Sequence, residues 1–112
     1  MSIKTTHSNQ PALYYITFTC HQWLPLFELV NGYDLVYNWF RILNDKFSIK
    51  TTAYTIMPNH VHCILFFPTG QYGLNKLVSN GKRFMAYEIV KRFMAYEIVK
   101  RLQQLELHHK LA

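Results

Sequence analysis

His60 and His62 stand two residues apart in the run Tyr54-Thr-Ile-Met-Pro-Asn-His-Val-His-Cys-Ile-Leu-Phe-Phe67. On an extended strand, residues i and i+2 project from one face, so both imidazoles point the same way, about 7 Å apart along the strand. Neutral imidazole is a common ligand for divalent cations, and two on one face can share a single ion. Val61, Cys63 and Leu65 alternate onto the other face, where they are expected to pack under a helix. An isolated His-x-His is more often incidental than metal-binding, so the surrounding elements have to decide.

Those elements are legible from hydrophobic periodicity. Leu13–Cys20 alternates and is rich in β-branched and aromatic residues, which predicts a first strand. Asn31 and Asp34 stand at capping-box spacing before Val36, Trp39, Phe40 and Leu43, which recur as one helical face to about Asn44. Lys50–Met57 and His60–Phe67 are the next two strands, and only Pro58-Asn59 separates them, so they form a tight hairpin. After the loop Pro68–Gly73, a helical pattern runs from about Leu74 to Leu107. The order β-α-β-β-α is most of a ferredoxin-like unit, an α+β fold with an antiparallel sheet. Its final strand has no candidate here and is expected to be missing or supplied by another chain.

The chain has 112 residues and a formal charge of +6. That length suits one domain with a single core. Half the residues are hydrophobic, which excludes a disordered tail. No apolar run approaches the ~18 residues of a membrane span and the first ten residues have no signal-peptide core, so a membrane or secreted protein is not expected. Cys20 and Cys63 form no CxxC pair and read as two buried thiols of a cytoplasmic protein. Residues 1–75 hold four basic and three acidic groups, whereas residues 76–112 hold eight and three. A basic segment on a nearly neutral globule points to a polyanion such as nucleic acid. Lys82, Arg83, Lys91, Arg92, Lys100 and Arg101 are the candidate phosphate contacts, with an ordinary solvated face as the alternative. Tyr14, Phe18, Phe66 and Phe67 can stack unpaired bases, although core packing is the commoner role.

Lys82–Val90 recurs without a change as Lys91–Val99. Nine residues turn a helix by about 900°, two and a half turns, so each residue of the second copy faces opposite its twin. One copy continues a stripe through Leu74, Leu77, Gly81 and Phe84. Two copies spread apolar side chains all round the helix, which then needs burial on both sides or pairing with another chain. A homodimer through residues 82–101, with or without exchanged helices, is therefore expected; a recent duplication without function is the alternative.

Met57-Pro-Asn-His-Val-His62 at the head of a strand resembles the HUH metal motif of single-tyrosine insertion-sequence transposases, above all their REP-associated relatives. Tyr14-Tyr-Ile-Thr-Phe-Thr19 and Leu74-Asn-Lys-Leu-Val78 also match, and the resemblance covers roughly residues 12–101. It implies that His60 and His62 hold Mg²⁺ or Mn²⁺ with a third polar ligand. It further implies single-stranded, hairpin-bearing DNA as substrate, and a tyrosine that attacks the phosphate to leave a 5′-phosphotyrosine and a free 3′-OH. Such enzymes work as dimers. The sequence departs from this pattern at the nucleophile, because no Tyr-Ile-x-x-Asn or Tyr-Ile-x-x-Gln run is present. Tyr87 and Tyr96 remain as candidate catalytic residues, at most one per site, with Lys91 or Lys100 lowering the phenol pKa. Glu88 or Glu97 is then the candidate third ligand. Packing with a wet hydroxyl tip is the alternative role of both tyrosines. On this reading the chain is a transposase domain, catalytically competent or a remnant that only binds, and expected to stop before its nucleophile helix.

Overall fold

The computed structural model describes residues 10–111, with side chains through Leu107. Three strands, β1 (Ala12–Thr19), β2 (Lys50–Met57) and β3 (His60–Phe67), form one antiparallel sheet in the order β1-β3-β2. A 3-10 turn (His21–Trp23), a single-turn helix α1 (Leu26–Leu29) and the helix α2 (Tyr33–Phe47) connect β1 to β2. The 38-residue helix α3 (Leu74–Leu111) follows β3. Among the described residues this is an α+β arrangement consistent with a ferredoxin-like fold without its last strand, and β1 is an edge of the open sheet. β2 and β3 occupy the predicted spans, whereas α2 starts later and continues to Phe47.

Among the described residues the sheet is covered on one face only. Val61, Cys63, Leu65 and Phe67 of β3 join Ile16 and Phe18 of β1 in the core, under Leu35, Val36, Trp39, Phe40 and Leu43 of α2. Burial pushes the Cys63 thiol up to about 12, so it is an inert packing group, while Cys20 is only half-buried. The predicted capping box at α2 does not form: Gly32 is the N-cap and no side chain caps it. Asn31 instead takes a positive φ of 49° and offers its carbonyl to another helix. At the other end Ser48 adopts the left-handed conformation, and Ile49 N–H donates to the Leu43 carbonyl at 3.1 Å, closing α2 before β2.

On α3 the core-facing stripe differs from the one read in the sequence. Leu74, Val78, Gly81, Met85 and Ile89 are buried, whereas Leu77 is only partly buried and Phe84 is exposed. Both sets have helical spacing. The two sets share Gly81, whose missing side chain leaves room for the Trp39 indole.

The second nonapeptide leaves the core, as the half-turn between copies requires. Met94 and Ile98, the twins of buried Met85 and Ile89, are each more than half exposed. One tie to the globule is Arg92, whose guanidinium donates to both Asp34 carboxylate oxygens at 2.7 Å and to the Asn31 carbonyl at 3.0 Å. The hydrogen bonds from Arg92 hold the Asp34 carboxyl below its usual range. A carboxyl depressed in the folded state stabilises above its unfolded pKa of about 3.9 and loses that contribution as pH falls through the folded value. The pair is solvent-exposed, so Arg92→Ala is expected to cost less than about 1 kcal/mol at pH 7. In urea denaturation, the gap between variant and parent should close as pH drops below about 3.9.

Candidate metal centre on the open face

Two features place the histidines at the head of β3. The first is the turn Pro58-Asn59, where neither residue has a positive φ. The turn therefore lacks the primed geometry that holds most two-residue hairpins by itself. It is held from outside: Cys20 N–H donates to the Asn59 carbonyl at 2.8 Å and Phe27 N–H to the Pro58 carbonyl at 3.0 Å. The second is the 3-10 turn, in which Gln22 and Trp23 both take left-handed backbone angles, φ 52° and 58°. A bulky residue there is strained by ~1 kcal/mol or more. The strain is held by hydrogen bonds from Trp23 N–H to the Cys20 carbonyl and from Leu24 N–H to the His21 carbonyl. It brings the Trp23 ring edge-on to His60, with centroids 5.8 Å apart.

On the open face, His60 and His62 are flanked by Thr19 and Thr17 on β1 and by Met57 and Thr55 on β2. The two imidazole centroids are 4.8 Å apart and nearly perpendicular. The rings thus converge to less than the ~7 Å strand repeat. A chain of hydrogen bonds sets the tautomer of His60. Asn59 Nδ2 donates to the Trp23 carbonyl, which turns Asn59 Oδ1 toward His60 Nδ1 at 2.6 Å. An amide oxygen only accepts, so Nδ1 carries the proton and Nε2 keeps its lone pair. His62 Nδ1 lies 2.6 Å from the Tyr15 hydroxyl and 3.0 Å from Thr17 Oγ1, and the Tyr15 ring stacks on the imidazole. Histidines that ligate metals are oriented in this way through the other ring nitrogen. A shallow depression of about 170 Å³ beside His62 is lined by Tyr15, Ala53, Thr55 and Ile64.

The two imidazoles could offer one nitrogen each to a single cation, and its remaining ligands would have to come from water or a bound molecule. Among the described residues no cluster of three or more His, Cys, Asp or Glu side chains exists. Glu88 and Glu97 lie on α3, which packs on the opposite face of the sheet from the histidines. Tyr87 and Tyr96 share that helix and are exposed. Within one chain neither tyrosine joins the histidine site.

The basic candidates are dispersed. At about 100° per residue, Lys82 and Lys100 share one direction, Arg83 and Arg101 a second, and Lys91 and Arg92 take two more. Lys82 Nζ sits 6.0 Å above the Phe18 ring and Arg92 is committed to Asp34. Of the aromatic candidates, Phe18 and Phe67 are core, Tyr14 packs edge-on to Phe67, and Phe66 lies on the open face. Exposed Tyr15 and Trp23, together with Thr17 and Asn59, are the site residues that sequence reasoning missed. Their roles depend on strand register and on a strained turn, which leave no signal in residue types.

His7 lies outside the described residues, as do the side chains of His108 and His109. Among the described residues no helix is long and apolar enough to cross a membrane. Comparison with protein-family models, with curated proteins and with solved structures finds no match.

Proposed function

We propose that the open face of the sheet is the metal and strand-binding centre of a single-stranded DNA transposase domain of the HUH kind. The observation that carries this reading is the pair His60 and His62, converging to 4.8 Å with Nδ1 of each ring committed to a neighbour. With the His62 proton also on Nδ1, donated to the Tyr15 or Thr17 hydroxyl, that arrangement leaves two Nε2 atoms for one Mg²⁺ or Mn²⁺. When bound, such an ion polarises a scissile phosphate and fixes its position. Asn59 orients His60, and Tyr15 with Thr17 orients His62. The exposed rings of Tyr15 and Trp23 flank the pair and offer stacking surfaces to unpaired bases. A cytoplasmic location goes with this reading.

Strand cleavage of this kind needs a tyrosine oxygen at the phosphorus, forming a phosphotyrosine and releasing a 3′-OH. The position of Tyr87 and Tyr96 on the far layer favours a second reading, in which the chain binds single-stranded DNA without cutting it. One experiment separates the two. The protein is incubated with Mn²⁺ and a 3′-labelled hairpin-bearing single strand. Cleavage is expected to give a protease-sensitive covalent adduct that His60→Ala abolishes. Manganese-dependent retardation without an adduct, also lost in His60→Ala, supports binding alone. Failure to bind the single strand sinks both.

A further inference from the structure

The nine-residue repeat has a geometric consequence on the outer side of α3. Tyr87, Val90, Met94, Ile98, Leu102 and Leu105 are all more than half exposed. At about 100° per residue they fall within a stripe about 120° wide, centred opposite the buried Val78, Met85 and Ile89. Their spacings are three, four, four, four and three, so the stripe reads the same in both directions about position 96. Met94 and Ile98 repeat the residue pair that the first copy packs into the core as Met85 and Ile89.

We infer that this stripe is a self-association surface on which two copies of the chain pair α3 against α3, antiparallel, about a two-fold axis near residue 96. A two-fold interface requires a self-complementary patch, and a palindromic stripe is one. Antiparallel pairing sets Tyr87 against Leu105, Val90 against Leu102 and Met94 against Ile98 in the partner. The centre of the stripe faces away from the sheet, so the partner helix lies on the solvent side of α3, with Val90 at the edge nearest His21 and Leu26. The six side chains leave roughly 600 Å² per chain in water, close to the ~800 Å² per partner of a standard interface and at the upper end of what monomers expose. The molecule is also far from globular: its radius of gyration is 18.1 Å, against about 13 Å for a compact domain of this length. The protruding half of α3 that causes this is the half carrying the second nonapeptide. This inference stands independently of the metal centre.

Light scattering on the whole chain at tens of micromolar should give twice the 13.4 kDa chain mass. Met94→Glu with Ile98→Glu should return it to the single mass with the core intact, since both side chains are exposed. In a Cys20→Ser background, Tyr87→Cys protein should form a disulfide-linked dimer when mixed with Leu105→Cys protein under oxidation. Neither variant should cross-link with itself. A monomeric parent, a dimer that survives the double substitution, or Tyr87→Cys chains that link to one another would each overturn the inference. So would a monomer that sediments with phosphatidylglycerol vesicles through the stripe, which would assign it to a lipid surface.

Discussion

His62→Ala is expected to lower Mn²⁺ affinity by at least about 100-fold, as read by titration calorimetry or by the electron-spin signal of free Mn²⁺. With two nitrogens in the site, loss of one leaves a single imidazole, and a single imidazole does not hold Mn²⁺ against water. His62 lies on the open face, so truncating it opens no cavity in the core. Thermal unfolding should therefore hardly change, which separates loss of a ligand from loss of the fold. Tyr15→Phe is the graded companion. It keeps the ring stacked on His62 and removes the hydroxyl 2.6 Å from Nδ1. Loss of an orienting partner typically costs ten- to a hundred-fold in metal affinity, and because Thr17 Oγ1 still reaches Nδ1 at 3.0 Å, about tenfold is expected. His60→Ala should match His62→Ala. Unchanged Mn²⁺ affinity in either alanine variant removes the metal reading.

Gly81→Ala is expected to destabilise the protein by about 2–3 kcal/mol, although helix propensity alone argues the reverse. Alanine in a helix interior is favoured over glycine by about 1 kcal/mol. Here a methyl group at Gly81 would lie 2.6 Å from Trp39 Cε2 and 2.9 Å from Cδ1, with Nε1 nearer still. Trp39 cannot simply swing away. Its ring is buried, packed edge-on to Phe18 at 5.7 Å and tilted against Phe40 at 5.8 Å. Overpacking of this kind costs typically 1–3 kcal/mol or more, and it displaces the helix that supplies Val78, Met85 and Ile89 to the core. The sterics thus outweigh propensity. Combining Gly81→Ala with Trp39→Leu should recover part of the loss relative to the sum of the single changes. Denaturant midpoints of the four proteins measure this, and a Gly81→Ala variant more stable than the parent would place Trp39 elsewhere.

The hairpin was the most legible part of the chain. Lys50–Met57 and His60–Phe67 have the residues of strands, and only two positions between them can turn. Period-two alternation alone puts His60 and His62 on one face and Val61, Cys63 and Leu65 on the other. The half-turn between the two nonapeptides follows equally from 3.6 residues per turn. The core-facing side of α3 was not legible, because Leu74-Leu77-Gly81-Phe84 and Leu74-Val78-Gly81-Met85 satisfy the same helical period. The cap of α2 departs from the local pattern for a related reason: Asn31 and Asp34 have capping-box spacing, but both are drawn to Arg92, 61 and 58 residues further on.

By itself, then, the sequence determined the order of elements, the facing of the two histidines and the reversal of the repeat, since each depends only on local backbone periodicity. The tertiary structure decided what stands beside them. Register between β1 and β3 set Thr17 across from His62 and brought Tyr15 onto its ring, and the strained turn at Trp23 locked Asn59 and thereby the tautomer of His60. Packing of α3 under Trp39 put Tyr87 and Tyr96 on the layer away from the histidines. Contacts between residues far apart in the chain are chosen by which faces bury together, and residue types at fixed spacing do not encode that choice.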